Sequence, residues 1–148
     1  MTQVAFVADL IAILCSGLFT GAALYINLVE HPARMEAGVP LAVAEFRPSY
    51  RRAAVMQVSL VILGTPGSVV AWWGGAGASS LLAAIALLAV VPFTLVVILP
   101  TNVAILDPDL DPTSTKAREL LLRWGHLHAV RTLLGLTAFV LAVLSFAP

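Results

Sequence analysis

Four stretches of this chain stay apolar for about 20 residues or more, the length at which a helix rising 1.5 Å per residue crosses the roughly 30 Å hydrocarbon core of a bilayer. They run from about Val4 to Val29, Ala53 to Trp73, Ser80 to Pro100 and His126 to Phe146. Their apolarity is continuous and not alternating, which excludes an outer-membrane β-barrel. The chain has 148 residues, so four such spans leave little for a soluble domain. The expected fold is all-α: one integral membrane four-helix bundle over 1–148, running up-down-up-down. Charged residues make up only 11% of the chain, against about 25% in an average soluble domain. The net charge is zero, and no basic tract interleaved with aromatics offers a grip for nucleic acid.

Charge also predicts sidedness. All eight basic residues lie in the two longer connections or the span ends that join them: Arg34, Arg47, Arg51, Arg52, Lys116, Arg118, Arg123 and Arg131. By the positive-inside rule those connections face the cytoplasm, and both termini face outward across a cytoplasmic membrane, the inner membrane of a bacterium. The connection between the second and third spans is only GGAGAS. The opening MTQVAFVADL has no Lys or Arg before the apolar run and no clear cleavage site after it, so it reads as a retained helix. Trp72 and Trp73 read as outer-interface anchors. Asp9 is most simply interfacial too, although a proton-coupled transporter would need such a carboxylate.

Cys15 is the one cysteine, which excludes an internal disulfide and any Cys-based zinc cluster, and it reads as a small buried hydrophobe. Gly17 and Gly21 form a GxxxG step that favours close helix contact, within the chain or between two copies of it. Pro66 in GTPG, Pro92 and Pro100 are expected to kink or end their helices. DPDLDPTSTKARELLLRW reads as Asp-Pro turns followed by a short helix capped by Ser114 or Thr115.

Polar groups at helix depth are costly unless paired, and here they gather at one end of the bundle. Tyr25, Asn27, Glu30 and His31 close the first span, Tyr50, Arg51 and Arg52 open the second, and Thr101 and Asn102 close the third. Trp124, His126, His128 and Arg131 open the fourth. Trp124, His128 and Arg131 are spaced i, i+4, i+7 and share a helix face, while His126 points elsewhere. Arg131 needs a partner, for which Glu30, Asn102 or a substrate oxygen would serve, or else it snorkels to the headgroups. Tyr25 and Asn27 lie on different faces, so at most one of them enters a given cavity. His31 is either part of the site or an exposed interfacial residue, and Asn102 either faces the site or bonds backbone freed by Pro100.

The stretches GLFTGAALYINLVEHPARM, FRPSYRRA, VILPTNVAILDPD and LLLRWGHLHAVRTLLG, in this order, resemble the anthrone oxygenase-like family of small four-span membrane proteins, long classed as a domain of unknown function. The most specific pieces are Pro100 with Asn102, and the run Trp124, His128, Arg131; EHPAR, from Glu30 to Arg34, is similar to the bacterial branch. The resemblance implies a four-helix bundle and, for some fungal members, cofactor-free oxidation of an anthrone to an anthraquinone by O₂.

On that footing the leading expectation is a membrane oxidoreductase acting on a lipophilic anthrone-, phenol- or quinone-like molecule that enters from the bilayer. His128 would be the base, since a histidine suits proton transfer near neutral pH. Arg131 and Asn102 would stabilise the oxyanion, His31 or Tyr25 would orient the ring, and Trp124 and Tyr50 would line the substrate pocket. No metal or cofactor is required by this chemistry. Two other readings remain: haem or a metal held through His31 and His128, and a non-enzymatic membrane subunit or small transporter.

Overall fold

The computed structural model describes residues 2–146, and these form no strand. Four long helices carry the fold: α1 (Gln3–Glu36), α2 (Val39–Trp73), α3 (Ala78–Leu106) and α4 (Thr115–Phe146). Each is long and apolar enough to cross a membrane, the signature of a multi-pass membrane protein. The start of α1 lies beside the end of α2, where Ala5 meets Gly74, and beside the end of α4, where Phe6 packs on Phe146 with ring centroids 5.3 Å apart. Its other end bonds to the start of α4.

The helices outrun the apolar stretches. The connection expected between the first two spans shrinks to Ala37 and Gly38, with φ 105° at the glycine. Its remaining residues are helical because Val39, Ala42, Val43, Phe46 and Tyr50 recur at helical spacing and pack into one apolar cluster with Leu121 and Trp124. Arg47, Arg51 and Arg52 occupy the exposed side of the same turns and hide that period from a hydropathy reading. α4 likewise begins at Thr115 as one unbroken helix, with Ser114 Oγ accepting from Ala117 N at 3.1 Å as its cap. In the preceding loop, Thr113 donates to Asp111 Oδ1 from its hydroxyl and its backbone N–H, which holds that carboxyl below its usual pKa.

Pro66 and Pro92 do not end their helices. Pro48 and Pro66 lie inside an unbroken α2, and Pro92 inside the α-helical part of α3. Breaks in the regular winding come instead as two π turns, Ile26–Glu30 and Thr94–Ile98, each ending two residues before a proline, Pro32 and Pro100. Proline offers no N–H and its ring crowds the carbonyl four residues back, here Leu28 or Val96, so the widened turn falls where the α-helical ladder is interrupted. Each inserted residue turns the following face by about 100°.

GTPG is a packing motif. A Cβ on Gly67 would lie 2.8 Å from the Ala8 carbonyl oxygen, and one on Gly64 2.9 Å from Cys15 Cβ, so these glycines set how closely α2 approaches α1. Gly135 does the same for α4 against Phe19. Gly17 packs on Phe139 of its own chain, and Gly21 faces open space. Asp9 is wholly buried within the bundle: it continues the inward stripe of Ala5, Ala8 and Ala12, and Ser145 Oγ of α4 donates to it at 2.9 Å. Cys15 is buried among these contacts as a small hydrophobe.

Candidate functional site

Where the ends of α1 and α3 meet the starts of α2 and α4, the polar residues enclose a cavity of about 40 Å³. Its walls include Tyr50, Gln57, Asn102, Trp124, His128 and Arg131. From α1, Asn27 continues the inward stripe of Ser16, Thr20 and Ala23 and reaches α4.

The Asn27 amide is committed at both ends. Its Nδ2 donates to the Gly125 carbonyl at 3.1 Å, so Oδ1 can only accept. Thr132 Oγ1 donates to that oxygen at 2.6 Å, and His128 Nδ1 lies 2.7 Å from it. His128 Nδ1 must therefore carry the proton, which leaves the lone pair of a neutral imidazole on Nε2. His128 itself is buried and lines the cavity. Its ring stacks on Trp124 with centroids 4.7 Å apart, Phe46 meets that indole edge-on at 5.3 Å, and Tyr50 lies parallel to Phe46.

Arg131 lines the same cavity with its Cζ 5.3 Å from the centre of the Phe19 ring and its buried Nε without a partner. Glu30 does not serve it: that carboxylate pairs with Arg34 one helical turn on and accepts from Ser49 Oγ of α2 at 2.9 Å. Arg34 also bridges to Glu45 at 2.9 Å and lies 5.9 Å above Trp124. Asn102 is buried with its Oδ1 unpaired on the cavity wall. Gln57, about two turns beyond Tyr50 on α2, is 2% exposed and its Nε2 has no partner.

A model of the anthrone oxygenase family matches residues 46–141. The chain belongs to the anthrone oxygenase family. The anthrone oxygenase tpcL of Aspergillus fumigatus is 40% identical over 73 residues, a stretch that covers 47% of this chain and 45% of that relative. No solved structure matches the chain. The family segment contains Tyr50, Gln57, Asn102, Trp124, His128 and Arg131, whereas Asn27, Glu30 and Arg34 precede it.

Five of the seven residues expected at the site line the cavity, namely Tyr50, Asn102, Trp124, His128 and Arg131. Two do not. Tyr25 is 57% exposed on the outer face of α1, and the inward place belongs to Asn27. His31 is buried, not exposed, but sits outside the cavity lining, with its ring 5.2 Å from Trp124 and its Nε2 against Gly125. His126 is exposed. Gln57, Ser49, Arg34 and Thr132 were missed. Gln57 and Thr132 carried a signal, each being a polar residue within an apolar span.

Proposed function

We propose that this chain is a membrane-embedded oxygenase that oxidises a lipophilic anthrone- or phenol-like substrate with O₂ at the end of the bundle where the basic residues gather, the cytoplasmic end. The observation that carries this reading is the contact of His128 with Asn27 beside the cavity: Asn27 Oδ1, 2.7 Å from Nδ1, can only accept, which favours the Nδ1–H tautomer and leaves the lone pair of a neutral imidazole on Nε2. Family membership supplies the reaction class.

In this mechanism Nε2 removes a proton from the methylene carbon of the anthrone. The charge moves to the ketone oxygen, where Arg131 and Asn102 supply donors that gain strength as the enolate forms. The carbanion then adds O₂ and takes back the imidazolium proton, giving a hydroperoxide at that carbon. Loss of the remaining C–H proton to His128 expels hydroxide, which is protonated to water, and the carbon becomes the second carbonyl of an anthraquinone. One O₂ is consumed and one water is released. None of these steps uses a bound metal or haem.

The cavity is far smaller than the roughly 300–1,000 Å³ occupied by drug-sized ligands, so a three-ring substrate must extend beyond it. Anthrone-dependent O₂ uptake by purified protein in lipid nanodiscs tests the assignment. His128→Ala is expected to lower the rate by about 10²- to 10⁴-fold, the usual contribution of a general base. Equal rates for the variant and the wild type would overturn it in favour of a non-enzymatic subunit. A Soret band or bound metal lost in both His31→Ala and His128→Ala would replace it with a ligand site.

A further inference from the structure

A second concavity opens sideways between α2 and α3. It is about 280 Å³, walled by Val58, Val61, Ile62, Val90, Val91 and Leu95, and almost wholly apolar. Two of its lining residues, Gln57 and Arg131, also line the cavity beside His128, so the two spaces meet at those side chains. Both carry a buried donor without a partner, Gln57 Nε2 and Arg131 Nε. An acyl chain lying in the groove would cover its valines and leave those donors unpaired, a costly arrangement at this depth. A flat apolar body bearing one oxygen acceptor at its inner end would satisfy both features.

We infer that this lateral groove is the slot for the ring system of an aromatic ketone or phenolate reaching the site from the bilayer, and that Gln57 is the donor selecting for its oxygen. The inference rests on the oxygenase reading for its substrate class and on the groove for its geometry. A pocket built to hydrogen-bond an oxygen rejects the analogue that lacks it, because the donor is then left bare.

The test measures binding in the absence of turnover. In a Trp72→Phe/Trp73→Phe background Trp124 is the one tryptophan left, and its fluorescence in nanodiscs is titrated with anthrone under argon. Anthracene serves as the oxygen-free probe of the same shape, and empty nanodiscs correct for partitioning. Saturable quenching by anthrone is expected, weakened about tenfold or more by Gln57→Leu, whereas anthracene, which meets the bare donor in wild type, is expected to bind the variant at least as well. Val91→Phe, on the half-exposed rim of the groove, is expected to abolish saturation by either probe. Wild-type anthrone affinity in Gln57→Leu or Val91→Phe would overturn the assignment, as would equal weakening of both probes by Gln57→Leu. If anthrone binds through Gln57 but no O₂ is consumed, the groove stands and the oxygenase reading falls. If uptake depends on His128 while both groove variants bind anthrone normally, the oxygenase reading stands and the groove falls.

Discussion

Asn27 and His128 lie 101 positions apart in the chain, and the hydrogen bond between them decides what His128 can do. With Nδ1 as donor, the base is Nε2; without Asn27, either nitrogen can hold the proton. Asn27→Leu is expected to lower kcat by about 10- to 100-fold, since most of the population then holds the wrong tautomer or a misdirected ring, while the apparent KM stays near its wild-type value. Imidazole ¹⁵N shifts of His128 report the cause directly: one Nδ1–H tautomer in wild type and a mixture in the variant. A single unchanged tautomer in Asn27→Leu would remove the positioning role. The sequence made His128 legible through its spacing from Trp124 and Arg131, because those three stand on one regular helix. Asn27 was legible only in part: it continues the inward stripe of Ser16, Thr20 and Ala23 at helical spacing, but nothing in the sequence sets it against His128. Tyr25 drew attention by its chemistry, yet two positions away on the helix it faces outward.

Between elements, small residues do what large apolar ones do in soluble cores, since lipid tails are as apolar as leucine and only close fit separates helix from lipid. Gly67 is a clear case within α2, because a Cβ there meets backbone, the Ala8 carbonyl oxygen, and backbone cannot swing aside. Gly67→Val is expected to destabilise the bundle by about 1–3 kcal/mol through overpacking, read as a lower thermal midpoint in detergent. Gly21→Ala meets nothing within the chain and is expected to leave that midpoint within about 0.5 kcal/mol of wild type. The opposite order would show that the α1–α2 contact is not where the packing is tightest. A GxxxG step at Gly17 and Gly21 was legible, but only Gly17 packs within the chain. Gly64 and Gly67 were hidden by the proline between them, which drew the reading toward a kink. α2 passes Pro66 without a break, and the glycines on either side place their bare backbone against α1 and α3.

At the scale of the whole molecule the fold class was legible because bilayer thickness imposes helix length directly, and four helices of that length and composition are present. The convergence of the four polar ends was legible for the same reason, being a matter of chain order. The side-chain network within that end was not, since Glu30 had Arg131 or Arg34 within plausible reach and only the three-dimensional fold selects Arg34. The basic residues gather where α1 meets α2 and where α3 meets α4, and the positive-inside rule turns that asymmetry into a proposal for sidedness. The proposed orientation puts the Asp107–Ser114 loop in the cytoplasm and the turn around Ala76 outside. In a Cys15→Ser background, a membrane-impermeant maleimide should label Ala76→Cys in intact cells and Asp109→Cys only after permeabilisation. The reverse pattern would place His128 toward the outer face. A substrate arriving through the lateral groove would then still reach it from the bilayer, so groove binding and orientation are independent properties and the labelling experiment tests only the second.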